Sequence, residues 1–418
     1  MSAASRAITT IKTEGVRSVA WRTGKWVSGR FNPFAPKPIS TVYPEDVVAV
    51  DWSKQRDFNG ASIKPHNGVY RVAWIITPPG QTSGGHQNAF RFMSFLEAAG
   101  HELTVYLYAP AKYPTVVIDD VREMMRTTSA YPELKAEFRR YDPVAGVAGE
   151  KGAEEYDAIF ASDWETAYAA YRYEGQAKRF YFTQDFEPAF YAAGSDYVLA
   201  ENTYRFGFHG VSAGRWLARK LTADYGMSGD HYDYAVDTQK YHHVNSAPRT
   251  EVLFYVRPPT PRRATEFGLL VLREFHRLRP DIGINLVGWD MSGFDVPFPY
   301  INHGAVDIAQ LNDIYNRCAA GLVLSLTNMS LLPMEIMSSG VVPVVNDADN
   351  TKGFFDSRYI EYVPMAPRAM ADKLVKIVEN PDAVKHAAKI AKSVADTKWA
   401  DPGETFIQAF EKVMIAGA

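Results

Sequence analysis

The sequence predicts an α/β chain of two consecutive Rossmann-like domains facing a central cleft, preceded by a basic helical arm. Three observations predict it. A strand, a Gly-rich loop, a helix and a second strand follow one another between residues 72 and 108, which is a βαβ unit and implies a parallel sheet. A second alternation of strands and helices begins near residue 251. The 418 residues, 46% apolar and 22% charged, have the size and balance of a two- or three-domain globular chain.

The first strand is Val72-Ala73-Trp74-Ile75-Ile76, ending in Thr77-Pro78-Pro79-Gly80 and the loop 81–86. Ala89, Phe92, Met93, Leu96 and Ala99 then recur at helical spacing until Gly100 stops the helix. The second strand is Leu103 to Tyr108. Further strands are expected at Ala158-Ile159-Phe160 and Phe180-Tyr181-Phe182, with a helix around 164–173 between them, and a βα step through Gly210-Val211-Ser212 into Trp216-Leu217-Ala218. In the second half, Val252 to Val256 is a strand, and Phe267, Leu270, Val271, Phe275 and Leu278 mark a helix. Ile284 to Gly288 is a strand; Val306, Ala309, Ile314, Tyr315 and Cys318 share a helical face; Gly321 to Ser325 is a buried strand. Glu335 to Ser339 is helical before the strand Val341 to Val345, and the last helix carries Phe406, Ile407, Phe410, Val413 and Met414. The expected division is an arm over 1–45, a first domain over 46–245 and a second over 246–401, with a C-terminal helix, 402–418, packed back on the first.

The net charge of −3 hides an asymmetry. Residues 1–40 hold seven basic residues and one acid, a net of +6, which leaves −9 for the other 378 residues. Trp21, Trp26, Phe31 and Phe34 are interleaved with those charges, so the arm either lies on an anionic membrane surface or packs on the body by its apolar side. One cysteine, Cys318, excludes an intramolecular disulfide. No apolar run approaches the roughly 18 residues of a spanning helix, and no signal-peptide block opens the chain, so a cytoplasmic location is expected, with the arm as a route to the inner face of the membrane.

In open parallel sheets, ligands bind beyond the carboxyl ends of the strands, which singles out the loops after 76, 182, 256, 288 and 325. The richest cluster is Leu332-Pro333-Met334-Glu335 running into Ser338-Ser339-Gly340-Val341-Val342-Pro343-Val344-Val345. A carboxylate near a helix start suits ribose recognition, and it is also what a helix macrodipole favours. No zinc spacing, Walker loop or loop Asp-x-Asp is present.

That cluster resembles the C-terminal signature of glycosyltransferase family 4, which has the GT-B fold: a Glu, seven residues, then a second Glu before a small-residue strand. Glu335 matches the second Glu; the first falls on Thr327, followed by Asn328. Tyr255-Val256-Arg257 with Arg262-Arg263 resembles the family's donor-diphosphate segment, where planar guanidinium groups suit phosphate oxygens. Thr183-Gln184-Asp185 stands where the family has His-Asp, with Glu187 just beyond. Gly84-Gly85-His86 resembles the family's N-terminal Gly-Gly loop, and Asp237 its interdomain hinge. Within the family the chain is most similar to the WsaF-type rhamnosyltransferases over roughly residues 70–400, through Ser83-Gly84-Gly85-His86 with Phe90-Arg91-Phe92, the block from Phe180 to Tyr191, Tyr204 to Phe208, and Phe254 to Pro258.

The resemblance implies a metal-independent transferase with no cofactor, using a nucleotide-sugar donor, dTDP-β-L-rhamnose, and a growing polysaccharide or lipid-linked glycan as acceptor, with no nucleic acid partner. Arg257, Arg262, Arg263, Glu335, Gly84, Gly85, Thr327 and Asn328 are then expected to hold the donor, and Gln184, Asp185, Glu187 and His86 to face the sugar or the acceptor hydroxyl. The other readings are a catalytically silent sugar-nucleotide or glycan-binding subunit, because one signature carboxylate is missing, and another GT-B enzyme such as an epimerase.

Overall fold

Val72, Trp74 and Ile76 alternate with Ala73 and Ile75 along the first strand, and both sets are buried, so the strand has to be covered on both faces. The computed structural model supplies that cover. It describes residues 41–416 except 55, 82, 111–112, 114–115, 129–130, 148–155 and 245, so the expected arm over 1–40 lies outside the described residues.

The first half comprises α1 (Pro44–Val47), β1 (Arg71–Ile76), α2 (Gly84–Ala98), β2 (Glu102–Leu107), α3 (Ile118–Thr127), β3 (Glu137–Arg140) and β4 (Ala158–Ala161). It continues with α4 (Trp164–Arg172), β5 (Lys178–Thr183), α5 (Ser195–Thr203), β6 (His209–Ala213), α6 (Arg215–Tyr225) and β7 (Gly229–Tyr232). The second half comprises β8 (Glu251–Tyr255), α7 (Thr265–Leu278), β9 (Gly283–Val287), β10 (Ile301–Gly304), α8 (Ile308–Arg317) and β11 (Cys318–Val323). It ends with α9 (Leu332–Ser338), β12 (Val342–Asn346), β13 (Glu361–Val363), α10 (Pro367–Val378), α11 (Ala383–Val394) and α12 (Ala400–Ile415). Two sheets result, β3-β2-β1-β4-β5-β6-β7 and β10-β9-β8-β11-β12-β13, with every strand pair parallel.

The central strands overlap the apolar runs that predict them, but β11 opens at Cys318, which helical spacing places on the preceding helix and which the structure puts beyond the end of α8. The four outermost strands, β3, β7, β10 and β13, overlap no such run, and their sequences say why: Glu-Phe-Arg-Arg, Gly-Asp-His-Tyr, Ile-Asn-His-Gly and Glu-Tyr-Val are short and largely polar. An outermost strand pairs on one side only and meets solvent, so it carries no buried run to read.

An aromatic ladder holds the first sheet. Trp74, Phe160 and Phe180 are register partners on β1, β4 and β5. Their rings stack with centroids 4.4 and 4.6 Å apart and planes 7° and 8° from parallel. Helix α12 returns to this face from the end of the second half. Phe410 is fully buried there, 5.4 Å from Phe180, 5.9 Å from Phe160 and 5.6 Å from Tyr70. The end of α12 is fastened by the Ile63 N–H donating to the Met414 carbonyl at 2.9 Å and by Lys178 Nζ donating to the Ala416 carbonyl at 2.9 Å.

The connection between the halves is tied to the second one. Arg249, 5% exposed, donates from Nη1 to the carbonyls of Tyr315 and Cys318 and from Nη2 to that of Ser339. At the other end of the chain, the Asp46 carboxylate on α1 is fully buried and accepts from the Tyr141 hydroxyl (2.6 Å), the Tyr108 hydroxyl (3.2 Å) and Arg172 Nη1 (3.1 Å).

Since Phe410 fills the space over the ladder, Phe410→Ala should leave a cavity and cost about 3–5 kcal/mol, measured as a fall in unfolding free energy in urea. A loss below 1 kcal/mol would mean that α12 is only loosely seated on the first sheet.

Candidate functional site

The carboxyl ends of the two sheets meet, and the loops expected to carry chemistry form the seam. Arg257 follows β8, and its backbone N–H donates to Thr265 Oγ1 at 3.2 Å. A 3₁₀ turn, Pro261–Arg263, then ends at Ala264, whose φ of +48° is the left-handed region that residues with a Cβ rarely enter. The turn sets Arg262 and Arg263 side by side immediately before α7. The Leu326 N–H donates to the Arg262 carbonyl at 2.9 Å, which locks the loop after β11 to the loop after β8.

Across the seam, Asp185 follows β5 of the first sheet. Its Oδ2 lies 3.1 Å from Arg262 Nε and 3.8 Å from Arg263 Nη2, and its Oδ1 accepts from the Asn328 backbone N–H at 2.7 Å. The Arg262 guanidinium also lies 3.7 Å over the Phe190 ring. Arg263 Nη1 donates to Ser325 Oγ (2.7 Å) and the Asn328 carbonyl (3.2 Å). Burial lowers the Arg263 pKa, opposed by the Asp185 charge. The Arg257 guanidinium, half-buried, has no hydrogen bond or ion pair among the described residues.

Asn328 carries the seam further. Its Nδ2 donates to the Gln184 carbonyl (3.0 Å), the Ala213 carbonyl (2.8 Å) and the Tyr234 hydroxyl (3.0 Å), while the Tyr234 hydroxyl donates to the Met329 carbonyl at 3.0 Å. Gly214 makes this possible: it holds φ +77°, and a Cβ there would stand 2.9 Å from the Tyr234 ring. Thr327, where the family has its first Glu, is 2% exposed, and its Oγ1 has no partner among the described residues.

Four expected site residues stand differently from the expectation. Glu187 does not face the cleft. It is 4% exposed, and its Oε2 accepts from the Trp164 backbone N–H (2.6 Å) at the start of α4 and from the Tyr181 hydroxyl (2.8 Å). Burial raises its pKa well above the carboxylate range, so it is a buried anchor for a helix N-terminus. His86 is no free base. Its Nε2 lies 3.0 Å from the Thr77 carbonyl, which can only accept, so Nε2 carries the proton and Nδ1 accepts from Ser83 Oγ at 2.6 Å. Burial lowers its pKa and keeps it neutral. Gly84 and Gly85 do not form a loop; they are the first residues of α2, neither with a positive φ. The Gly85 carbonyl accepts from Gln184 Nε2 at 2.9 Å, and Gln184 Oε1 accepts from Asn88 Nδ2 at 3.2 Å, so the Gln184 side chain is pinned against the start of α2.

Glu335 lies in the first turn of α9, half-buried, with no hydrogen bond to its carboxylate among the described residues. Burial pushes its pKa up to about 7, against the opposing charges of Arg91 and Lys240. Arg91 itself lies 4.0 Å over the Trp399 ring, and Lys240 pairs with Asp237 at 3.1 Å. Sequence reasoning missed Tyr234 and the pairing of Arg91 with Trp399. Arg91 had one signal, its place beside Asn88 on a helix that opens at the cleft; Tyr234 had none. Among the described residues, no group of three or more His, Cys, Asp or Glu side chains is arranged to hold a metal ion.

The Glu335 shift has a sign that can be measured. A carboxyl whose folded pKa is raised from 4.5 to about 7 binds its proton more tightly in the folded state. Its stabilising contribution is therefore complete below pH 4.5 and is lost as pH rises towards 7. Glu335→Gln should remove this part of the pH slope, so the fall in urea midpoint between pH 5 and pH 8 should be smaller in the variant. An identical slope would mean that Glu335 titrates normally.

Residues 250–375 match the family model described as the C-terminal domain of WsaF. The O-antigen biosynthesis protein RfbC of Myxococcus xanthus is 34% identical over 297 residues, which is 69% of this chain and 22% of that protein. Among solved structures, TarM superposes with a TM-score of 0.65 at 7% identity, covering 83% of this chain and 99% of that one. WaaG, a glycosyltransferase involved in lipopolysaccharide biosynthesis, superposes at 0.57 and 12%, covering 81% and 99%. A glycosyltransferase from Rickettsia africae ESF-5 superposes at 0.57 and 11%, covering 82% and 98%. At these identities the structures speak for the fold alone. Two Rossmann-like domains meeting at their strand ends give the chain the GT-B fold, and its residues 250–375 are similar to the WsaF C-terminal domain.

Proposed function

We propose that the protein is a glycosyltransferase of cell-surface polysaccharide assembly, moving L-rhamnose from dTDP-β-L-rhamnose to a growing polysaccharide or lipid-linked glycan. The observation that carries the reading is the meeting of Arg262 and Arg263 with Asp185 at the carboxyl edges of two parallel sheets, with Arg257 near enough for its charge to act on Arg263. Three guanidinium groups against one carboxylate leave an excess of two positive charges for a leaving diphosphate. The matched WsaF domain and the O-antigen role given to RfbC support the polysaccharide context. On the same fold, a structure of S. aureus TarM is in complex with UDP, α-GlcNAc-glycerol and fondaparinux, which supports a nucleotide-linked donor and a glycan acceptor.

In this reading the bond from the anomeric carbon to the diphosphate oxygen breaks, the acceptor oxygen bonds to that carbon, and the acceptor proton leaves with solvent or the departing phosphate. Arg257 is the group with a free guanidinium and meets the charge developing on the β-phosphate, where electrostatic stabilisation is largest. Asp185 acts as a positioning residue, holding Arg262 and Arg263 in place. Glu335, with no hydrogen bond to its carboxylate among the described residues, is offered to the ribose, and its ionisation near neutral pH ties donor affinity to pH.

Arg257→Ala should lower kcat about 100-fold or more in a dTDP-release assay with acceptor present, while folded yield is unchanged. An unchanged rate would remove Arg257 from the site. Nucleotide that binds but is never released from its sugar with any acceptor would instead favour the silent subunit. For the arm, vesicles containing anionic lipid should recruit the full chain in low salt and lose it in high salt, and a chain lacking residues 1–40 should not bind. Equal binding by the shortened chain would leave the arm without a membrane role.

A further inference from the structure

A groove of about 1200 Å³ lies beside the seam, lined by α6, the loop after β12 and α12. Of the residues expected to act on the donor it contains none; it touches the seam through Tyr234, whose ring lines the groove and whose hydroxyl bonds Asn328 and Met329. On α12 the polar lining residues are Asp401, Thr405, Gln408 and Lys412, spaced four, three and four apart on one helical face, with Pro402 and Ala409 beside them. At 1.5 Å per residue this polar stripe is about 16 Å long. It cannot turn inward, because Phe406, Phe410, Val413 and Met414 on the other face are buried against the first sheet.

Size, charge and surface type restrict what fits. The volume of about 1200 Å³ exceeds the roughly 300–1,000 Å³ of a small-molecule pocket and so leaves room for an extended chain. Five basic side chains line the groove, but four aspartates stand among them, and Arg215 is paired to Asp233 at 3.3 Å. A polyanion would meet these carboxylates, and an uncharged ligand would not suffer from them. The large apolar side chains are aromatic, with Trp216, Phe355 and Tyr362 partly open, and no aliphatic patch accompanies them in the lining. Flat rings suit the C–H faces of sugar rings, while carboxylate, amide, hydroxyl and guanidinium groups suit their hydroxyls.

We propose that this groove binds an uncharged oligosaccharide chain, the already assembled part of the acceptor, away from its reacting end. The identity of the chain as acceptor rests on the transferase reading; its binding does not. In consequence the affinity for glycan grows with chain length, whereas donor affinity is set elsewhere.

The test is calorimetric titration of the full chain with a ladder of neutral rhamnose oligosaccharides, with heparin fragments of matched length as the polyanionic control. Affinity should rise along the neutral ladder. Trp216→Ala and Gln408→Ala should each weaken the longest member about tenfold while leaving dTDP binding unchanged. Trp216→Phe, which keeps an aromatic face, should retain most of the affinity. Length dependence that survives in both alanine variants, or heparin binding tighter than the neutral ladder, would overturn the proposal. Should the protein prove unable to transfer sugar, the length-dependent binding is still measurable, so the two readings fail separately.

Discussion

The Asp185 carboxylate is the constraint on which the arrangement of the two domains depends. It is 7% exposed, belongs to the first sheet, and is neutralised by two arginines that belong to the second. A buried charge left without its partners is strongly destabilising, typically by about 3–5 kcal/mol. The closed seam is therefore the state in which Asp185 and Arg263 are both satisfied. Asn328 adds the same demand in neutral form, because its amide reaches two carbonyls of the first domain and one tyrosine hydroxyl. Apolar packing crosses between the domains as well: one buried cluster holds Trp74 and Phe182 of the first half with Leu253, Val323 and Met334 of the second, and the Tyr234 ring lies 4.9 Å from that of Phe354.

Helix α12 supplies the apolar counterpart. The ladder of Trp74, Phe160 and Phe180 would face solvent if the chain stopped after α11, and Phe406 and Phe410 cover it. The last residues of the chain thus complete the first domain's core, and the crossover at Trp399 passes the seam on the way, where Arg91 rests on its ring. Two crossings now join the domains, one through residues 233–250 and one at 395–400. A pair of crossings permits rotation about the line between them and opposes separation. The groove at α12 lies against this second crossing, since Thr397 and Lys398 are among its walls.

How much of this was legible in the sequence follows from which forces act locally. Strands buried on both faces, such as β1, β5 and β11, are apolar runs and are readable as such. Outermost strands like β10 are stabilised by one neighbour only and keep ordinary polar residues, so they are not. The rule that ligands gather at strand ends singled out the loops that hold Arg257, Arg262, Arg263, Gln184 and Asp185, and the resemblance to glycosyltransferase family 4 picked those residues within them. The rule could not tell which way a side chain turns after the strand ends. Asp185 and Glu187 are two residues apart, yet one reaches across to the second domain and the other goes under α4 to its N-terminal amide. Nor could it show that His86 has both nitrogens engaged by its own loop, because Thr77 and Ser83 only converge once Gly84 and Gly85 have entered the helix. Tyr234 lies 94 residues from Asn328, and nothing in its local sequence encodes that contact.

The same geometry bears on how the charges divide their work. Arg262 is held by Asp185 and by the Phe190 ring, both of the first domain, while Arg263 is held by Ser325 and Asn328 of its own domain as well as by Asp185. Arg257 has neither kind of partner among the described residues. A phosphate entering the seam would therefore find one guanidinium ready and two whose hydrogen bonds have to be shared. Sharing is possible for Arg263, since a guanidinium has five N–H donors and Ser325, Asn328 and Asp185 engage only part of them. For Arg262, whose flat face is already covered by Phe190, moving towards a ligand would pull on the first domain. Of the three arginines that look alike in sequence, Arg262 is thus tied to the first domain, Arg263 to both domains, and Arg257 to neither among the described residues.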